Sequence, residues 1–189
     1  MKKTETGIKD LWVIEPDVYG DGRGWFMESW SEVKFAEMGI FCRFVQDNQS
    51  YSAKKGTMRG LHFQKGEFSQ AKLVRCIRGA VYDVAVDLRK SSPTFLKWFG
   101  VKLSAENKKQ LFIPRGFAHG FLTLTDDVEF AYKVDNVYVP SSEGFLRYND
   151  SKIGINWEQA IDFEGVFTVS ERDLSAPLFD EAGEDILFE

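Results

Sequence analysis

Along residues 80–88 the chain alternates with a period of two. Tyr82, Val84, Val86 and Leu88 fall on one face, with Val81, Asp83, Ala85 and Asp87 on the other, as side chains do along a β-strand. Residues 11–15, 71–78, 95–103, 110–113, 119–124 and 127–134 read as strands in the same way. Turn-forming residues separate them at Gly20-Asp21-Gly22-Arg23-Gly24, Arg78-Gly79, 89–93, 104–108, 114–116 and Asp126-Asp127. One short helix is predicted over 32–38, with Ser29 or Ser31 as N-cap and Gly39 as its stop. From 41 to about 139 strand follows strand at intervals of about ten residues without crossover helices, which predicts an antiparallel sandwich or barrel such as a jelly roll. Beyond Pro140 the pattern becomes irregular, with a helical turn expected near 157–161 and a tail expected to pack on the barrel or on a partner.

A length of 189 residues predicts one domain, with an N-terminal extension over about 1–30 and an irregular tail over about 140–189. The 17 phenylalanines and 43% hydrophobic content supply a sizeable core. A net charge of −5 argues against nucleic acid, whose phosphates need a basic face. A small anionic ligand needs only a few well-placed arginines. Cys42 and Cys76 both lie in apolar runs and read as reduced core residues of a cytoplasmic protein. The N-terminus has no apolar signal core, and the chain has no apolar run of membrane-spanning length, so no membrane is expected.

Candidate chemistry centres on two histidines. His62 lies in Thr57-Met58-Arg59-Gly60-Leu61-His62-Phe63-Gln64, and His119 in Ile113-Pro114-Arg115-Gly116-Phe117-Ala118-His119-Gly120-Phe121. Glycine near each, on a strand-like segment, suits a bulge that re-aims a side chain into a cavity. Jelly rolls that bind a metal often use a His-x-His pair, a downstream carboxylate and a later histidine. Here only the second half, Pro114-x-Gly116-x-x-His119, is present, because Gly60 and Gln64 stand where further ligands would be. Spacing alone leaves a carboxylate-completed site open, but a general base at His62 is the sharper reading. Lys72 shares its face with Val74 and Cys76, an apolar setting for an amine, and Tyr132 lies in line with Val128, Phe130 and Val134. A base, a desolvated cation and a phenol in one β cavity can move a proton. Arg23 and Arg59 are each flanked by glycine, which lets a phosphate approach the backbone. Each residue also has a plainer reading: structural histidine, snorkelling lysine, core tyrosine, turn arginine.

Several uncommon strings occur together. They include Gly22-Arg23-Gly24-Trp25-Phe26, Phe44-Val45-Gln46-Asp47-Asn48, Lys72-Leu73-Val74-Arg75, Asp83-Val84-Ala85-Val86-Asp87-Leu88-Arg89, Tyr132-Lys133 and Ser170-Glu171-Arg172-Asp173, along with both histidine motifs. In this order, from about residue 8 to 178, the chain resembles the dTDP-4-dehydrorhamnose 3,5-epimerase family. The resemblance implies a mainly β, cupin-like antiparallel jelly roll with short peripheral helices, a homodimer that exchanges edge strands, and catalysis without metal or other cofactor. It further implies that His62 removes the sugar proton, oriented by Asp173, that Lys72 stabilises the enolate oxygen, and that Tyr132 returns a proton from the opposite face. Arg23, Gln46, Asn48 and Arg59 would hold the diphosphate and neighbouring groups, Glu28 and Tyr138 the thymidine. His119, Glu143 and Arg172 match further substrate contacts. The chain departs from the family in the loop 65–71, which lacks the usual prolines, in the stretch 141–150, and in Arg172, where lysine is usual.

The chemistry agrees with these roles. In a 4-keto sugar both C3–H and C5–H are α to one carbonyl, so one enolate-stabilising centre serves both carbons. A gap on the order of ten pKa units between such a proton and imidazole corresponds to about 14 kcal/mol, beyond what the base alone supplies. A fixed cation at the developing O4 charge is therefore needed, for which Lys72 is the candidate. An epimerase inverting only C3, a non-catalytic nucleotide-sugar-binding cupin and, behind these, a metal-dependent cupin enzyme are the competing readings.

Overall fold

The structure, a computed structural model, describes residues 1–158 and 166–189. Strands β1 (Lys2–Glu5), β2 (Trp12–Glu15), β5 (Gln46–Ser52), β7 (Lys72–Arg78), β10 (Gln110–Ile113) and β12 (Val128–Val134) form an antiparallel sheet in the order β1-β2-β10-β7-β12-β5. Facing it is a second sheet of β6 (Thr57–Gln64), β8 (Ala80–Asp87), β9 (Trp98–Ser104), β11 (Phe117–Thr123) and β13 (Glu143–Phe145), in the order β13-β6-β11-β8-β9. A two-residue strand, β14 (Thr168–Val169), adds parallel to β6. The hairpin of β3 (Val18–Asp21) and β4 (Gly24–Met27) stands apart as a sheet of its own. The fold is thus the mainly β, cupin-like jelly roll that the strand spacing and the resemblance imply.

Three apolar clusters hold it together. Between the sheets, Val74 and Cys76 of β7, Leu111 and Ile113 of β10 and Phe130 of β12 meet Val81 and Ala85 of β8 and Phe117 and Phe121 of β11. The opposite face of β8 carries Val84 and Val86 into a second cluster, where Leu146, Ile153, Ile155, Trp157 and Ile186 cover them. Strand β8 is therefore apolar on both faces because it is buried on both, and the irregular tail is what covers its outer side. Helix α1 (Glu32–Glu37) does the same for the other sheet: its fully buried Phe35 packs with Ile14, Leu73 and Phe112. Ser31 Oγ accepts from the Lys34 N–H, and Gly39 at φ +77° ends the helix. Strand β9 starts at Trp98, later than the pattern suggests, because Leu96 adopts φ +61° in a turn. The helical turn expected near 157–161 runs into residues outside those described. Among the described residues no helix is long and apolar enough to cross a membrane.

One irregularity shapes everything that follows. In the pairing of β6 with β11, His62 lies opposite His119 but Arg59 lies opposite Phe121, so Gly60 and Leu61 together face only Gly120. Because of this bulge Met58, Leu61 and Phe63 point to the outer cluster while Arg59, His62 and Gln64 all point inward. Gly60 sits at φ +132°, and a Cβ there would fall 2.5 Å from the Gly120 Cα. Gly60→Ala is expected to cost about 3 kcal/mol or more, from left-handed strain plus overpacking. A drop in the urea midpoint checks this; an unchanged midpoint contradicts it.

Candidate active site

The inward residues of both sheets line a cavity of about 390 Å³ at one end of the barrel. His62 comes from β6, Lys72 from β7 and Tyr132 from β12, so the base lies on one sheet and the cation and the phenol on the other. Gln46 and Asn48 enter from β5, Arg59 from β6, His119 from β11 and Glu143 from β13, while Tyr138 and Arg172 complete the wall.

His62 Nε2 is 2.7 Å from Asp173 Oδ1, across 111 residues of sequence. Asp173 belongs to α2 (Glu171–Leu174), whose N-cap Ser170 accepts the Asp173 N–H at 3.1 Å, and it is only 3% exposed. Burial alone would raise its carboxyl, but the hydrogen bonds from His62, the Gly60 N–H and Ser170, with the His62 charge, hold it below the ordinary carboxylate range. Asp173 is thus an anion and His62 Nε2 carries the donated hydrogen, leaving Nδ1 with its lone pair free. Phe145 packs edge-on against the imidazole, ring centres 5.4 Å apart.

Lys72 is buried at 8% exposure. Loss of solvent drives its ammonium down to about 8 despite the opposing charges of Asp83 and Glu143. It extends the inward row that continues in Val74 and Cys76. Tyr132, opposite Asn48 and Val74 in the sheet, is pushed up by burial and by Glu143, so the phenol keeps its proton at neutral pH. Arg59 is steadied by Ser52 Oγ at 3.1 Å and the Tyr51 carbonyl at 3.0 Å. Gln46 donates to Asn48 Oδ1 at 2.8 Å, and its own oxygen accepts the Tyr138 N–H at 3.4 Å. Glu143 lies 3.4 Å from Arg172 and accepts from the half-exposed Tyr138 hydroxyl, while the Arg172 guanidinium rests over the Phe145 ring. The departure over 141–150 therefore leaves Glu143 on the cavity, because β13 pairs regularly with β6.

His119 is a more buried neighbour than the sequence implies. Its Nε2 is 2.9 Å from Asp83 Oδ2, and its ring stacks on Phe130 at 6.1 Å. Burial lowers its pKa, so it is neutral. Two of the expected ligand contacts are not in this cavity. Arg23 sits at the tip of the β3–β4 hairpin, paired with Asp21 at 2.6 Å, and Glu28 pairs with Lys34 at 2.9 Å. The hairpin tip packs Trp25 under Lys108 of the β9–β10 turn, 4.6 Å from the ring centre, and neither Arg23 nor Glu28 is among the residues that line the cavity. Sequence reasoning gave no role to Asp83 or Gln64. Gln64 donates to the Phe68 and Val137 carbonyls and accepts the Val139 N–H at 2.7 Å, which fixes the segment carrying Tyr138. A carboxylate on an inward strand face was the available signal for Asp83. Among the described residues no group of three or more His, Cys, Asp or Glu side chains is arranged to hold a metal ion.

The barrel and its cavity, with a carboxylate-held imidazole facing a buried amine and a phenol, define a cupin-type isomerase that works by proton transfer. The family model for dTDP-4-dehydrorhamnose 3,5-epimerase matches residues 5–181. The dTDP-4-dehydrorhamnose 3,5-epimerase of Salmonella typhimurium is 55% identical over 179 residues, 94% of this chain and 95% of its own. Among solved structures, the Elizabethkingia anophelis enzyme superposes with a TM-score of 0.89 at 50% identity, covering 95% of this chain and 97% of that one. The Legionella pneumophila 3,5-epimerase, in complex with dTDP-4-keto-L-rhamnose, gives 0.92 at 43% identity over 100% and 97% of the two chains. The chain belongs to the dTDP-4-dehydrorhamnose 3,5-epimerase family.

Proposed function

We propose that this chain, as a single jelly-roll domain, inverts C3 and C5 of dTDP-4-dehydro-6-deoxy-D-glucose to give dTDP-4-dehydro-L-rhamnose. The observation that carries the reading is the His62–Asp173 pair, 2.7 Å apart, in one cavity with Lys72 and Tyr132. His62 Nδ1 takes the α proton, and Asp173 stabilises the imidazolium that forms. Electron density moves onto O4, where the Lys72 ammonium meets it in a site shielded from water. Tyr132, from the facing sheet, donates its phenolic proton to the other face of the carbanion, and the stereocentre inverts. Repetition at the second carbon uses the same groups once His62 has released its proton to solvent and Tyr132 has taken one back, because both carbons flank the same carbonyl. The cavity of about 390 Å³ is near the lower bound for small-molecule pockets and suits the hexose, leaving the nucleotide along the rim. There Gln46, Asn48 and Arg59 would hold phosphate, Tyr138 would stack on thymine, and His119, Glu143 and Arg172 would contact the sugar side.

A homodimer belongs to the same proposal. The β3–β4 hairpin exposes Tyr19, Trp25 and Phe26 at 64%, 59% and 69%. A two-stranded ribbon so apolar gains by docking on another surface. Exchange between two copies would bring Arg23 and Glu28 to the partner's cavity, where they could meet the dTDP. A cytoplasmic setting fits the two free cysteines, whose thiols burial raises to about 12 for Cys42 and about 11 for Cys76.

The test is incubation of the purified, metal-stripped protein with the 4-keto substrate in D2O, read by NMR and mass spectrometry. Deuterium at C3 and C5 is expected. Deuterium at C3 alone would assign a C3 epimerase, no exchange would remove the catalytic reading, and activity returning only with added metal would overturn the cofactor-free mechanism.

A further inference from the structure

Just behind the cavity wall lies a carboxylate with one oxygen unaccounted for. Asp83 is fully buried; its Oδ2 meets His119 Nε2 at 2.9 Å, and its Oδ1 has no hydrogen-bond partner among the described residues. A buried carboxylate oxygen without a partner is costly unless a compensating charge is near. His119 is neutral through burial, so it supplies a hydrogen bond and no charge. The charge close by is Lys72. Asp83 projects inward from β8 between Val81 and Ala85, and Lys72 from β7 on the facing sheet, in a row with Val74 and Cys76. Among the charges that favour the Lys72 ammonium, Asp83 comes first and Glu143 second. Glu143 is already shared with Arg172 and the Tyr138 hydroxyl. The remaining titratable or charged groups lining the cavity, His62 and Arg59 from β6, His119 from β11 and Tyr132 from β12, bring no negative charge at neutral pH.

We propose that Asp83 is a positioning residue for the reaction: Oδ2 orients the His119 ring, and Oδ1 is the fixed negative charge that holds the Lys72 ammonium protonated and in place. This rests on the reading of Lys72 as the group that stabilises the enolate. Without Asp83 the amine faces only a carboxylate shared with Arg172 and Tyr138, loses its proton at lower pH and stops serving O4.

Asp83→Asn keeps the size and an acceptor for His119 while removing the charge. Its kcat for C3 and C5 exchange, followed against pH, is expected to lose its alkaline limb about one pH unit or more below wild type. The acid limb and dTDP binding stay as they are. In a Lys72→Arg background, whose cation does not titrate in this range, the same substitution should shift nothing. An unmoved alkaline limb, or an equal loss at every pH, would make Asp83 merely structural and overturn the proposal. Should the variant fail to fold, site-resolved carbon-13 NMR of the wild-type Asp83 carboxyl decides. Its resonance should sense a step as Lys72 titrates at about 8; a carboxyl blind to that step overturns the proposal. A wild-type enzyme that exchanged no deuterium would instead remove the parent reading, and the carboxyl titration would be unaffected.

Discussion

His62→Ala should lose on the order of 10³–10⁴-fold in deuterium exchange at both C3 and C5 while binding dTDP nearly as wild type does. The single imidazole serves both carbons, so the two rates should fall together. Binding should survive because the groups proposed to hold the nucleotide, Gln46, Asn48, Arg59 and Tyr138, belong to other positions on the cavity wall. The substitution also strands Asp173, 3% exposed, without its partner. A buried carboxylate left unpaired costs stability, so the melting temperature should drop as well. Exchange near the wild-type rate would mean that another residue is the base.

Lys72→Met should lower kcat by about 10²–10³-fold, the loss typical when a preorganised oxyanion partner is removed. The methionine fills similar space beside Val74, so the apolar row stays packed. The pH dependence separates charge from packing. In the wild type, burial brings the Lys72 ammonium down to about 8, so the protonated form predominates below that pH and is lost above it. Activity should therefore fall as pH rises through about 8, and Lys72→Arg, low in activity but permanently charged, should show no such fall. A Lys72→Met enzyme with wild-type kcat, or a wild-type profile flat through pH 9, would remove the lysine from the mechanism.

The legible parts of this site are the ones whose geometry is local. Lys72 in a row with Val74 and Cys76, and Tyr132 in a row with Val128 and Phe130, could be read as inward-facing because a strand repeats its faces every second residue. Helix α1 was equally plain, with Ser31 before it and Gly39 after it. The illegible parts depend on which strands meet. Arg59 and His62 are three apart and should face opposite sides of a regular strand; the bulge at Gly60 against Gly120 turns both inward. Asp173 meets His62 because α2 packs against β6, and Asp83 meets His119 because β8 and β11, far apart in sequence, are neighbours in one sheet. The irregular tail gave no periodic signal because it contributes single apolar anchors, such as Trp157 and Ile186, to the outer face of a sheet.

By itself, then, the amino-acid sequence determined the strand positions, the rows that share a face and the family, since alternation and motif strings are properties of neighbouring residues. Tertiary structure alone decided which carboxylate holds which imidazole, which nitrogen of His62 is left free, and that Asp83 and Lys72 point inward from facing sheets. Those relations are fixed by long-range pairing and burial, where solvent exclusion gives each buried charge a strength and a proton affinity that no local pattern encodes.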